Sequence, residues 1–329
     1  DVLGLAELEK NTYTGFYTTV TNFSSDLMGF DNLQAGALRP WEGTGSYYEE
    51  PHLASFLGRV NYTYDDRYVL TVNARTDASS KFGANHKWGF FPSVSAAWNV
   101  SNEQFMKQIT WIDNLKLRLG YGLAGNQGGI DSYTTMNLVR PNGVAPVGNS
   151  PVVTYETLRN INPDLKWEVK HTFNAGFDVG FYGNRLLLSV NYYNSKTTDM
   201  LYNYRVSVPP FTYNTLLANI GSMRNSGTEI SVGITPLKTK DMELNINANI
   251  TFQKNKLLSL NGMYNGEYIS ASEYTVIAGL DGAGFHGGYN NIVYQIVGQP
   301  LGVFYLPHCT GLVPEGNVGY KYEIADFNG

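Results

Sequence analysis

The feature that most narrows what this chain can fold into is a side-chain period of two. From Glu243 to Phe252 one row reads Leu244, Ile246, Ala248, Ile250 and Phe252, and the other reads Glu243, Asn245, Asn247, Asn249 and Thr251. Successive residues of an extended backbone point to opposite faces, so such a run is a strand between two unlike surroundings. From Lys166 to Phe181 the row Trp167, Val169, Phe173, Ala175, Phe177, Val179 and Phe181 opposes Glu168, Lys170, Thr172, Asn174 and Asp178, with His171 breaking the apolar side. Leu115, Leu117, Leu119, Tyr121 and Leu123 oppose Lys116 and Arg118. Phe56, Val60, Tyr62 and Tyr64 are answered across a turn by Tyr68, Leu70, Val72 and Ala74. No amphipathic helix of any length competes with this pattern.

The alternation predicts about nine strands, near 2–20, 53–64, 67–77, 88–99, 114–124, 166–181, 185–198, 227–235 and 242–254, with shorter ones inside the loops and after Gly288. The connections 65–66, 100–113, 183–184 and 236–241 are short or medium. They alternate along the chain with the long ones 78–88, 125–165, 199–226 and 255–290. Short turns on one rim and long loops on the other is the layout of an antiparallel transmembrane β-barrel. The polar rows of Asn, Thr, Lys and Glu then line a watery lumen and the apolar rows face lipid. Tyr62, Tyr64, Tyr68, Phe181 and Tyr182 flank the short turns, as interfacial aromatics do. Nine strands close no even-numbered barrel, and an open sheet edge is not tolerated in lipid. The expectation is therefore an all-β chain, residues 1–329, forming part of one larger outer-membrane barrel domain, with a plug domain and the last strands lying outside it.

Composition removes other classes. The chain carries 23 Lys+Arg against 28 Asp+Glu, a net charge of −5, which suits no nucleic-acid groove. With 14 % aromatic residues it is not a disordered segment. No stretch approaches the ~18 apolar residues of a membrane helix. The opening Asp1-Val2-Leu3-Gly4 has no basic leader, so a processed chain or a piece of a longer one is expected. The single Cys309 forms no internal disulfide and no CxxC metal site. His52, His86, His171, His286 and His308 show no zinc spacing, and no GxSxG elbow is present. Gly282 to Gly287 matches GxGxxG, but without the flanking strand and helix it reads as a flexible glycine loop. Glu49-Glu50 and Asp65-Asp66 read as structural carboxylates. No catalytic residue, cofactor or metal is expected.

Function is instead expected in the long loops, where aromatics are interleaved with Asn and Gly. They include Trp41, Tyr47, Tyr48, Tyr133, Tyr155 and Tyr289, with Tyr202, Tyr204, Phe211 and Tyr213 in the 199–226 connection. Flat aromatic faces beside amide groups hold sugar rings or peptide backbone. Tyr202, Tyr204 and Tyr213 are the candidate substrate-binding residues; the simpler reading is that such aromatics pack the loops on one another.

Several segments resemble one family. Phe56 to Tyr68 resembles its FGRVNYxYxDRY hairpin, and Arg75 to Gly83 its RxDGSSRFG loop, with Ala78 in place of Gly. Trp88 to Ser93 with Trp98 resembles WGxFPSxxxxW, and Leu115 to Gln127 resembles LKLRxSxGxxGNQ. Asn162 to Glu168 resembles NPxLKWE, and Val297 to Gly302 resembles VGxPxG. The family that these segments resemble is the SusC/RagA-like TonB-dependent outer-membrane transporters. The resemblance implies a barrel of about 22 strands with a plug in its lumen. It also implies a TonB box, a SusD-like surface lipoprotein as lid, and active import of glycan oligomers or peptides across the bacterial outer membrane. The family supplies no catalytic residues. A passive porin and a surface carbohydrate-binding β protein are the competing readings.

Overall fold

The computed structural model describes residues 1–329 except 26, 28, 41, 42, 273, 280–290, 307, 315–319 and 325–329. Its centre is one nine-stranded antiparallel sheet in which each strand pairs with the next in chain order. The strands are β1 (Val2–Lys10), β2 (His52–Tyr64), β3 (Tyr68–Ser79), β4 (Trp88–Asn99), β5 (Ile112–Asn126), β6 (Glu168–Phe181), β7 (Leu186–Arg205), β8 (Thr215–Lys238) and β9 (Glu243–Ser259). The helical pieces at Gly29–Ala35, Val100–Asn102 and Gln104–Gln108 are short 3-10 turns.

The register assigns the faces. Leu117, Phe177, Val190, Ile230 and Ile250 lie in one continuous cross-strand row, and Arg118, Gly176, Asn191, Glu229 and Thr251 lie in the next. The polar row is the concave one. Thr71, Ser95, Lys116, Arg118, Asn174 and Asn191, from β3 through β7, line a single hollow. The apolar row is convex, and its large side chains, Leu117, Leu119, Ile246 and Ile250 among them, stand exposed. That exposure makes sense only against a non-aqueous surrounding, since monomeric soluble proteins rarely expose continuous apolar patches of this extent.

The short turns share one rim. Asp65 and Asp66 both adopt positive φ, which Asp tolerates better than most side chains and which a tight hairpin requires. Tyr182, Gly183 and Asn184 do the same at the next turn. Aromatics mark this rim as the sequence predicts. Tyr68 stacks on Trp98 with ring centroids 6.2 Å apart, and Trp111 stacks on Phe181 at 5.6 Å. The Glu103 carboxylate collects the Tyr68 hydroxyl at 2.8 Å, the Trp98 indole N–H at 3.1 Å and Arg67 at 3.1 Å. These donors hold its pKa below the ordinary carboxylate range, the Tyr68 hydroxyl contributing most.

At the long-loop rim the strands depart from the sequence expectation. The 199–226 connection is not a long loop, because β7 continues to Arg205 and β8 begins at Thr215. A bulge between Thr197 and Met200, with Asp199 at positive φ, breaks the alternation there. The expected strand 2–20 divides at Asn11-Thr12. Tyr13–Thr18 pairs instead with Thr44–Glu49, in the same register as β1 with β2. Pro51 has no N–H to donate, which interrupts the ladder between the two stretches. The expected loop 255–290 contains the end of β9 and a hairpin, Asn261–Tyr264 with Glu267–Ser270.

If the convex row meets lipid, a charge there will prevent assembly. Ile246→Arg or Leu117→Arg should cost about 2–4 kcal/mol near the bilayer midplane, whereas Asn247→Arg on the concave row should be tolerated. Heat-dependent gel mobility of the refolded protein reports the difference. Equal damage from both faces would contradict the assignment.

Candidate functional site

The concave wall and the rim above it form the region able to meet a ligand. The wall is charged, and two of its arginines are each paired with an aspartate. Arg118 makes two bonds to Asp178, at 2.8 and 2.9 Å, and a third to Asn191 at 2.8 Å; Ser189 completes the group at 2.7 Å. On the neighbouring strands Arg75 chelates Asp77 at 2.9 Å and reaches Ser55 at 3.1 Å, while Arg59 donates to Asn73 at 2.6 Å. Much of the remaining lining is Asn, Ser, Thr and Gly. Such a wall offers many weak hydrogen bonds, and these paired groups leave little uncompensated charge.

The rim is organised by one extended segment, 160–168, which runs across the tops of several strands. Asn160 clamps the β7–β8 turn from both sides. Its Nδ2 donates to the carbonyls of Tyr213 at 2.5 Å and Thr215 at 2.8 Å, and its Oδ1 accepts from the N–H of Thr212 and of Tyr213, both at 3.1 Å. Asn162 donates to the Leu217 carbonyl at 2.9 Å. Asn219 closes the reverse contact, accepting from the Lys166 N–H at 3.0 Å and donating to its carbonyl at 2.7 Å. Lys166 pairs with Asp199 at 2.8 Å, and Glu168 joins the N–H of Leu201 to Asn126, both at 2.7 Å. Beneath this mesh Phe82, Phe91, Ile130, Leu165 and Trp167 form a buried cluster. Trp167 therefore leaves the lipid row to which the alternation assigned it. Its ring lies 4.6 Å from Phe82, and its N–H donates to the Lys87 carbonyl at 3.0 Å.

The three candidate tyrosines do not converge on one site. Tyr202 and Tyr204 lie on β7 and touch edge to face at 5.3 Å. Tyr204 is fully buried with Leu216, Ala218 and Ile269, and burial raises its pKa; among the described residues no hydrogen-bond partner meets its hydroxyl. It packs the β7–β8 extension under the 261–270 hairpin. Tyr202 is half-buried and lines a cavity of about 670 Å³ with Asn126, Lys170, Met223 and Gln295. Tyr213 is half-buried in the turn, its backbone held by Asn160.

What the loop reading missed is the long first ribbon. Its register continues that of β1 and β2, so Tyr13, Tyr17 and Tyr47 fall in the same row as the concave side chains below. A Cβ on Gly15 or Gly45 would come within 2.6 Å of the Tyr47 or Tyr17 ring, so each tyrosine lies over a glycine of the opposite strand. At the base of the ribbon Glu50 accepts from Tyr48 at 2.5 Å, from Lys10 at 2.9 Å and meets His52 at 3.1 Å. These partners, led by Tyr48 and Lys10, hold its carboxyl at about 2, ionised at neutral pH. Alternation continuing past a proline was the signal available in the sequence. Trp41, Tyr289 and the Gly282–Gly287 loop lie outside the described residues. Among the described residues no group of three or more His, Cys, Asp or Glu is placed to hold a metal.

Gly83 gives the rim a sharp test. A Cβ there would lie 1.7 Å from the Pro163 carbonyl oxygen, so the loop after β3 and the 160–168 segment can close only over glycine. Gly83→Ala should lower stability by about 1–3 kcal/mol through overpacking. Gly58→Ala, whose Cβ meets nothing within 4 Å, is the control. Thermal unfolding in detergent measures both, and equal midpoints would contradict this packing.

Comparison with known proteins agrees with the architecture. The profile of the family described as "TonB dependent receptor-like, beta-barrel" matches residues 3–325. The chain is 34 % identical over 247 residues to the TonB-dependent receptor SusC of Bacteroides thetaiotaomicron, covering 69 % of this chain and 24 % of that protein. It is 35 % identical over 269 residues to the TonB-dependent receptor P26 of Formosa agariphila, covering 79 % of this chain and 26 % of that one. It thus spans about a quarter of the length of these relatives. Among solved structures it superimposes on the RagAB peptide transporter with a TM-score of 0.69 and 25 % identity, over 95 % of this chain and 32 % of that one.

Proposed function

This chain belongs to the TonB-dependent receptor-like β-barrel family, and from that premise we propose that it forms part of the barrel wall of an active importer in the bacterial outer membrane. Among the described residues the nine-stranded sheet has free edges at β1 and β9, apart from the backbone bonds of Leu257 with Gln299 and Gly298. Further strands of the whole protein close the barrel around a plug, and residues 1–329 are one part of that domain. The imported substrate is a polar oligomer, a glycan or a peptide. The observation that carries this reading is the amide- and hydroxyl-rich concave wall, with Arg118 and Arg75 each spent on its own Asp. An oligomer can be held there by many weak contacts and released stepwise. A SusD-like lipoprotein covers the long-loop rim, and a TonB complex drives release through the proton-motive force. The RagAB neighbour, a peptide transporter by its description, supports the peptide class. Tyr202 and Tyr213 are the rim tyrosines that contact substrate, and Tyr204 supports Tyr202 from beneath.

Uptake of labelled oligosaccharides and oligopeptides by cells bearing the intact transporter tests this. Uptake should stop when the proton-motive force is collapsed; persistence would make the protein a passive channel. Tyr202→Ala with Tyr213→Ala should reduce uptake several-fold at unchanged surface abundance. Tyr204→Ala should instead reduce abundance, since deleting a buried aromatic costs about 3–5 kcal/mol. Unchanged uptake in the double variant would remove both tyrosines from the binding site.

A further inference from the structure

The convex face of the sheet is not apolar to its upper end. His171 on β6 lies directly opposite Lys196 on β7, Lys196 opposite Arg224 on β8, and Arg224 opposite Lys256 on β9. Four adjacent strands thus present four basic side chains in a single cross-strand row. Lys254 stands one step below, opposite Ser226, which is itself opposite Asn194. All of these share the parity of Val190, Ile230 and Ile250, the convex row, and Lys196, Arg224, Lys254 and Lys256 are exposed. None of the four forms an ion pair among the described residues. His171 is held by the Tyr121 hydroxyl at 3.1 Å and Thr198 at 3.4 Å.

Like charges directly opposite on neighbouring strands repel, and a sheet normally avoids them. Lys196, Arg224 and Lys256 stand side by side with no carboxylate in the row, although the concave face pairs Arg118 and Arg75 with aspartates. The arrangement is electrostatically complete only with an anion on the outside. Its height identifies the anion. Below the row lie Phe173, Tyr192 and Phe252, and below them the apolar positions down to Leu244. The ten residue steps from Leu244 to Lys254, on a strand tilted about 40°, rise about 25 Å, the height of the apolar band of a barrel. The cations therefore stand at the headgroup level on the long-loop side, above an aromatic row able to lie along acyl chains.

We propose that Lys196, Arg224, Lys254 and Lys256, with Asn194 and Ser226, form a binding site for the phosphorylated headgroup of an outer-leaflet glycolipid. Guanidinium takes phosphate through two parallel bonds, and the lysines add point charges on either side. The site rests on the outer-membrane reading given above, and it predicts that this arc of the barrel carries tightly held lipid.

The test uses the intact transporter purified in detergent, incubated with bisphosphorylated lipid A and measured by native mass spectrometry. Replacing Lys196, Arg224 and Lys256 together with Gln should reduce lipid A retention at least tenfold. Replacing Lys107, Lys238 and Lys240 on the short-turn rim with Gln should leave it unchanged. Enzymatically dephosphorylated lipid A should bind the unmodified transporter as weakly as the triple variant binds the phosphorylated form. Competition by millimolar inorganic phosphate alone would identify a free-anion site and overturn the lipid assignment, as would equal retention by all proteins. Heat-dependent gel mobility of each protein is read alongside: failure of the unmodified transporter to form a heat-modifiable barrel would strike the membrane reading itself, whereas normal mobility with equal retention strikes only the lipid site.

Discussion

The backbone of an extended strand commits each side chain to one of two faces, and in this protein the two faces meet different solvents. All else in the structure depends on that separation. Among the described residues the sheet has no conventional core along most of its height, because Ile246 and Ile250 on one side and Asn247 and Asn249 on the other pack against no second layer. What holds it is continuous backbone pairing from β1 to β9, together with cross-strand side-chain contacts. On the concave side those contacts are ion pairs and amide bonds; on the convex side they are apolar neighbours and, at the upper end, basic ones.

Two buried apolar clusters lie where the strands rise beyond this two-solvent region. There the 160–168 segment uses side-chain amides in place of a ladder. Asn160, Asn162 and Asn219 each satisfy backbone groups that a strand would otherwise leave unpaired. Leu165 and Trp167 fill the space under the segment, and Gly83 permits its backbone to approach. The rim is therefore a built platform. The tyrosine ribbon and the Tyr202 cavity are positioned by it.

Much of the wall was legible in the sequence because alternation is a local signal. The strand from Glu243, the hairpin at Asp65-Asp66 and the polar row through Arg118 all follow from residue spacing. The rim was not legible for a physical reason. The bulge at Asp199 breaks the alternation, so by spacing alone a continuing strand has the pattern of a loop and Tyr204 that of an accessible ring. Trp167 obeyed the apolar period but turns into the cluster with Phe82, a contact between residues far apart in the chain. Asn162 and Glu168 stood out by resemblance, yet their bonds to Leu217 and Leu201 depend on tertiary placement. The basic row through Lys196 is invisible along any one strand and emerges only when four strands are laid side by side in register.

The central claim is the two-solvent assignment of the sheet, and single-cysteine labelling along β9 tests it most directly. In the intact transporter carrying Cys309→Ser, cysteines would be placed one at a time from Leu244 to Phe252. Each would be labelled with a fluorophore in native membranes and exposed to a quencher dissolved in the lipid phase. Positions 244, 246, 248, 250 and 252 should be quenched by lipid, and 245, 247, 249 and 251 only by a water-soluble quencher. A profile without this alternation, or one with the two sets exchanged, would contradict the account.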